Sequence, residues 1–405
     1  MSNILSLLRN RALATVTLGH FSVDMFSGML PLILLGLTDP LGLSYVQVGL
    51  VASTFTMTSS FTQPFFGWLA DRLGGRWLAA GGILLTAVMI GLMRSAPSYT
   101  ALLLLAPLAG IGSAAFHPQG AANASIASGK QKATGMSIFM LGGNIGYAVG
   151  PVVARVLFAA IGGITTLTLV ALGALLSAAQ LVFGPHVRRV LGSKGNATAG
   201  LNDYRPMAPV AVAALISVIF LRMWVNSAIT TYLPQLTKAS GFDIDYSSNL
   251  QFAILFPLAF GGLIGGSMSD RIGRRPIIVG SLLLAAPLLI LVLLNLGPRA
   301  YLFAPLLGVM IGASFPITLV MAQELLPKGI GLMSGLALGF TFIAGAIGVA
   351  ISGWMADRIG LMPMLYVMAL LLLISGVIAL LLPGKEHQTA DGHIPQPVDA
   401  QPAEA

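Results

Sequence analysis

GWLADRLGGR (residues 67–76) and GGSMSDRIGRR (265–275) are two short charged turns in a chain that otherwise carries almost no charge. Their cores, Asp71-Arg-Leu-Gly-Gly-Arg76 and Asp270-Arg-Ile-Gly-Arg-Arg275, are separated by half of the 405-residue chain. Each core has a glycine four residues before its aspartate, Gly67 and Gly266. A chain that repeats itself at half its length is built from two copies of one unit. Outward from either turn the sequence runs into apolar stretches of roughly 20 residues, the length that crosses a ~30 Å hydrocarbon core. Of all residues 56% are hydrophobic and 8% charged, against about 25% charged in a soluble protein. So few charges cannot keep that much apolar surface in water, and the solvent of this chain is lipid.

Twelve spans follow, at roughly 12–37, 45–70, 77–94, 99–127, 135–158, 163–184, 207–237, 246–269, 276–295, 299–323, 330–353 and 361–382. The fourth and fifth are nearly continuous, and Lys130 with Lys132 makes the break between them. The expected fold is an all-α membrane protein, twelve transmembrane helices in two pseudo-symmetric six-helix bundles. Residues 1–184 form the first bundle and 207–382 the second. The basic, Pro-bounded segment 185–206 reads as a cytoplasmic linker, and the polar tail 383–405 as disordered. Arg9 and Arg11 precede an apolar stretch of about 26 residues, too long for a signal-peptide core, so it is a retained first span.

Basic residues set the orientation. With the N-terminus inside, fifteen lysines and arginines fall in cytoplasmic segments, including Arg72, Arg76, Arg188, Arg189, Arg271, Arg274 and Arg275. Only Arg94, Lys238, Arg299 and Arg358 fall outside. This positive-inside bias places both termini in the cytoplasm of a cell with this chain in its inner membrane. A third turn, GWMADRIG (353–360), nearly repeats GWLADRLG (67–74), yet the span count puts it on the outer face. A three-span inverted repeat nested in each half accounts for that copy.

Several chemistries are excluded. There are no cysteines, hence no disulfides or thiolate metal sites. The net charge of +8 is spread over short turns as a topology signal, not gathered into a nucleic-acid face. No G-x-S-x-G, H-E-x-x-H or Walker sequence occurs, which argues against an intramembrane enzyme and against ATP-driven pumping. A sensor would need a soluble output domain, and the longest loops are about 22 residues. No cofactor is implied.

The two turns resemble the G-x-x-x-D-R-x-G-R-R signature of the major facilitator superfamily, at corresponding positions in a chain of the right span count. GHFSVDMFSGMLP (19–31), SSFTQPFFGWLADR (59–72), GIGSAAFHPQGA (110–121) and GGNIGYAVGP (142–151) further resemble its fosmidomycin-resistance branch of drug exporters. That resemblance implies a monomeric secondary transporter exporting small organic or drug-like compounds, plausibly anionic, in exchange for protons. Proton-coupled uptake of an organic anion or phosphonate is the alternative. In the family the Asp71 position helps to gate the cytoplasmic side, and a carboxylate at a helix end can cap a neighbouring helix or pair with an arginine. The gating candidates are Asp71, Arg72, Arg76, Asp270, Arg271, Arg275 and Glu324. The alternative is that these turns only set topology.

Two departures limit what the resemblance carries. Phe116, beside His117, stands where the superfamily's fourth span has an arginine, so an arginine-based proton relay does not transfer. In the fifth span, Gly146-Tyr-Ala-Val-Gly150-Pro151 matches the antiporter signature, but Ala154 and Arg155 replace its closing glycines.

Ionisable residues at bilayer depth cost at least ~2.5–3.5 kcal/mol each, so they face the bundle interior and act there. Asp24 lies roughly 18 Å into the first span at 1.5 Å per residue, near the midplane, with His20 one turn earlier. Arg222 and Asn226 have the same spacing in the seventh span and align with His20 and Asp24. Two such faces would look at each other across a central cavity, a carboxylate on one half and a guanidinium on the other. Asp24, His20 and His117 are the proton-coupling candidates. Arg222, Asn226, Phe21, Phe116, Gln119, Asn144, Tyr147 and Trp224 are the substrate-binding candidates. Against this stands a purely structural Asp24–Arg222 pair that never meets substrate.

Overall fold

The structure, a computed structural model, describes Leu7 and residues 10–73, 75–129, 131–161, 165–184, 207–324 and 330–384. All regular structure among them is helical. The first span consists of α1 (Arg11–Gly28) and α2 (Leu30–Thr38). The rest of the first half is α3 (Tyr45–Leu73), α4 (Gly75–Arg94), α5 (Tyr99–Ala127), α6 (Lys132–Ile161) and α7 (Thr165–Phe183). The second half opens with α8 (Pro209–Ala239), α9 (Ile244–Ile272) and α10 (Arg274–Leu294). Its tenth span is α11 (Ala300–Ala313) with α12 (Phe315–Glu324), followed by α13 (Ile330–Ile359) and α14 (Leu361–Ile378). The twelve spans stand where the sequence reading puts them, with most ends displaced by a few residues. The linker 185–206 and the tail from residue 385 lie outside the described residues.

Eleven of the spans are long and apolar enough to cross a membrane by length and composition. The twelfth, α3, has 29 residues but carries seven serines and threonines between 53 and 62. Six of these hydroxyls have hydrogen-bond partners within the fold. Thr56, Ser60 and Thr62 donate to the carbonyls of Ala52, Thr56 and Thr58, one turn back, while Ser53 donates across to the Ala346 carbonyl at 2.6 Å. Such bonds let a polar helix sit where no water reaches it.

Two spans are broken, which the sequence reading does not anticipate. Pro31 falls in the first turn of α2 and Pro316 is the second residue of α12. A proline donates no N–H and crowds the carbonyl four residues back, so each helix restarts just before its proline. Pro234, the counterpart of Pro31, lies inside an unbroken α8, so the likeness between halves stops short of this break.

The halves pack alike. In the first, α1 packs on α6, α3 on α5, and α4 on α5 and α7; in the second, α8 packs on α13, α9 on α11, and α10 on α11 and α14. The halves join through α3 with α13 and α6 with α9, a pair of contacts that exchange under the same two-fold. Between α1 and α6 the backbones nearly touch. A Cβ on Gly28 would meet the Tyr147 carbonyl, and one on Gly146 the Phe21 carbonyl. Small residues permit such close approach, which drives helix association where lipid supplies no hydrophobic force.

Both ends of the bundle's chain lie on one face, here the terminal face; the opposite one is the far face. Near the far face the halves are bolted together. Lys238 pairs with Asp39 at 2.8 Å and donates to the Leu35 carbonyl at 3.1 Å. Gln235 donates to Thr38 at 3.1 Å, and Arg155 pairs with Asp245 at 3.2 Å. The third turn supplies the most specific contact. The Asp357 carboxylate accepts the backbone N–H groups of Tyr45 and Val46 at 2.8 and 2.9 Å, capping α3 from the other half. Tyr232, fully buried, donates to the Tyr45 and Val349 carbonyls beside it.

The glycine closing D-R-I-G fixes where that carboxylate points. Gly360 has φ 90°, as Gly273 of the second turn has φ 100°, a region that favours glycine. Both turns therefore end their helices in the same way. Losing a charged cap costs on the order of 1 kcal/mol. Asp357→Ala should therefore shift the halves roughly fivefold toward a state open at the far face. Spin labels on cysteines introduced into the far-face turns of this cysteine-free chain, read by pulsed electron resonance, check that shift.

Candidate functional site

The first half brings His20, Asp24 and His117 together. Helix α1 places His20 and Asp24 one turn apart on one face, and α5 brings His117 against them. Asp24 Oδ2 lies 3.2 Å from His20 Nε2, and Oδ1 lies 3.2 Å from His117 Nε2. Each imidazole is anchored on its other side. His20 Nδ1 lies 2.8 Å from the Phe139 carbonyl, and His117 Nδ1 lies 2.7 Å from the Ser113 carbonyl. A carbonyl oxygen can only accept, so each Nδ1 carries a hydrogen and each Nε2 faces the carboxylate. His20 is also clamped by rings, stacked on Phe139 at 4.1 Å and on Phe116 at 6.1 Å. His20 is buried, while the side chains of Asp24 and His117 keep 19% and 25% of their surface exposed. The carboxylate and the outer imidazole therefore remain reachable.

In the second half, Arg222 has the opposite character. It is 2% exposed, and its guanidinium lies over the Phe315 ring at 4.9 Å. Among the described residues it makes no ion pair, and its Nε has no hydrogen-bond partner. Asn226, one turn on, lines a small cavity with Thr230, Gln251 and the apolar side chains of Ile229, Leu233 and Ile311. Asp24 and Arg222 are not ion-paired in this structure. The carboxylate is taken by the two histidines of its own half.

The other substrate candidates are scattered. Phe116 is fully buried behind His20, which removes it from the cavity wall and makes it a support for the imidazole. Gln119 is buried against Gly75 at the start of α4, toward the terminal face and away from the midplane. Trp224 donates from Nε1 to Ser352 at 2.8 Å and braces α8 against α13. Phe21 packs at the α1–α6 contact. Asn144 is exposed and Tyr147 half-buried on α6.

Of the gating candidates, the side chains of Asp71 and Glu324 lie outside the described residues. Arg72 is exposed and lies over the Trp68 ring at 4.3 Å. Asp270 and Arg271 are exposed, while Arg76 and Arg275 are half-buried. Among the described residues, ion pairs and a helix cap that join the halves lie near the far face, through Asp357, Lys238, Asp39, Arg155 and Asp245, with Tyr232 beside them. Sequence reasoning assigned none of these to a gate. GWMADRIG carried the signal for Asp357, since it repeats a turn whose aspartate was already a capping candidate. Arg155 drew notice in the sequence only as the replacement of a closing glycine in the fifth span.

A model of the Major Facilitator Superfamily matches residues 16–260 and 215–402. The fosmidomycin resistance protein of Escherichia coli (strain K12) is 33% identical over 382 residues, covering 93% of each chain. YfnC, an uncharacterized MFS-type transporter of Bacillus subtilis (strain 168), is 33% identical over 386 residues and covers 91% of each. Among solved structures, a bacterial homolog of the human lysosomal transporter Spinster, inward-facing and unoccupied, matches with a TM-score of 0.74 at 16% identity. That match covers 92% of this chain and 97% of the other, and the likeness is one of fold. The relatives are transporters, not enzymes. This multi-pass membrane chain, matched in both halves, belongs to the Major Facilitator Superfamily of transporters.

Proposed function

We propose that the chain is a secondary transporter of the bacterial inner membrane, exporting small organic anions in exchange for protons and working as a single chain. The observation that carries this reading is Arg222, a buried guanidinium that pairs with no anion among the described residues and whose Nε has no hydrogen-bond partner there. A buried unpaired charge costs several kcal/mol, and a substrate phosphonate or carboxylate removes that cost by accepting from the planar donor fork. Asn226 stands one turn away on the same helix face and would complete its surroundings, with Asn144 and Tyr147 on the opposite half.

The Asp24, His20 and His117 cluster is the coupling site in this reading. It is the group of ionisable residues at midplane depth in the other half, and two of its members are reachable from solvent. With the terminal face cytoplasmic, as the basic residues require, the far-face contacts close the outside and the state is inward-facing. The turns at Asp71, Arg72, Arg76, Asp270, Arg271 and Arg275, with Glu324, then form the gate that closes in the opposite state.

Proteoliposomes with an imposed pH gradient test the reading, with phosphonates and lipophilic drugs as candidates. Substrate moving against the protons it releases supports exchange. Substrate and protons moving together would instead support uptake. Equal transport of neutral and anionic candidates would remove the role given to Arg222.

A further inference from the structure

We propose that His20, Asp24 and His117 also form a binding site for a divalent transition-metal cation of the zinc and cobalt class. The inference goes beyond the transport reading and does not rest on it.

Three observations point to a cation rather than to a purely hydrogen-bonded cluster. First, the donor set is two imidazoles and one carboxylate, whose ligand atoms all lie within 4.8 Å of one another. Metal bonds of roughly 2.0–2.2 Å to nitrogen and oxygen place neighbouring ligand atoms about 3.0–3.5 Å apart. The two Nε2–carboxylate distances are both 3.2 Å.

Second, the outer contacts match what metal-bound histidines require. A ligating imidazole donates its other N–H to a carbonyl or carboxylate, which fixes its tautomer and orientation. Both Nδ1 atoms do so here, to the carbonyls of Phe139 and Ser113. Each Nε2 is thereby turned toward the carboxylate, and in the neutral imidazole it presents a lone pair to another acceptor. With both imidazoles neutral, three acceptors converge, and a metal ion supplies positive charge to all three at once, in place of the protons that the imidazolium forms would carry.

Third, the site is rigid yet reachable. Phe139 and Phe116 clamp the His20 ring, and the exposure of Asp24 and His117 leaves coordination positions for water or for an anionic ligand. Three protein ligands with open positions form the pattern of exchangeable metal sites rather than closed structural ones. Two imidazoles with one carboxylate suit zinc, cobalt or nickel better than magnesium or calcium, which take oxygen ligands. The metal competes with protons for the same atoms.

The test is metal binding to the tag-free full-length protein in detergent, with no substrate and no gradient. Cobalt is followed by its visible absorption and zinc by calorimetry. One equivalent is expected to bind, with affinity falling at least roughly tenfold in His117→Gln and in Asp24→Asn. A His387→Gln, His393→Gln double variant should bind as the parent does, because those residues belong to the tail. Absence of cobalt and zinc binding overturns the proposal, as do variants that bind like the parent. If a variant does not fold, zinc-edge X-ray absorption of the parent decides: a first shell holding two imidazoles supports the site, and one without imidazole rejects it. Failure of transport leaves this result untouched, and failure of metal binding leaves the transport reading standing.

Discussion

Asp24→Asn should reduce proton-driven flux in proteoliposomes to the level of empty vesicles, while substrate counterflow without a gradient persists. Asparagine keeps the shape of the side chain but cannot ionise. The two imidazoles at 3.2 Å then lose the charge that orients them, although Phe139 and Ser113 still hold their outer nitrogens. Substrate binding, centred by the proposal on Arg222 of the other half, should survive. Coupling and binding therefore separate in one variant. Full proton-driven transport by Asp24→Asn would remove the coupling role. Loss of both activities with normal folding would show that the carboxylate also contacts substrate.

Arg222→Gln should raise KM for an anionic substrate by about 10–150-fold, the loss expected for a hydrogen bond to a charged group worth ~1.5–3 kcal/mol. Arg222→Lys should fall between the two, since lysine keeps the charge but not the planar fork. Arg222→Gln should not lower stability, because among the described residues no anion is left unpaired and the substitution removes a buried charge. Melting temperatures with and without substrate provide the control. A parent stabilised by substrate and a glutamine variant that is not would match the reading. A glutamine variant that binds anions unchanged would mean that Arg222 serves the fold alone, through its contact with Phe315.

Much of this protein was legible before any coordinates. Length and polarity of the apolar stretches are one-dimensional properties, and lipid enforces helix on each of them because no other spanning element satisfies its own backbone. Even α3, the most hydroxyl-rich span, stands where its length and few charges put it, with hydroxyls bonded to its own carbonyls or to neighbouring helices. The breaks at Met29 and Ser314 were not legible. Proline occurs inside unbroken spans such as α8 and α9 as well, so its presence alone does not decide where a helix restarts.

The site divides along the same line. His20 and Asp24 were paired by their spacing on one helix, which is a local fact. His117 was a candidate from a separate span, and its contact with Asp24 needed α5 to cross α1 at the right height. The expected Asp24–Arg222 juxtaposition came from aligning the halves, and that alignment cannot say which neighbour a carboxylate chooses. The histidines are closer because they belong to the same half.

The turn sequences close the comparison. GWLADRLGGR and GGSMSDRIGRR determined by themselves that the chain is a twofold repeat crossing the membrane, since repetition and charge placement are written in the residues. GWMADRIG looked like a third copy without a task. Only the tertiary structure decided that Asp357 caps α3 across the interface. A helix N-terminus attracts whichever carboxylate the packing brings to it, and the packing of α13 on α3 is a contact between residues some 300 apart in sequence.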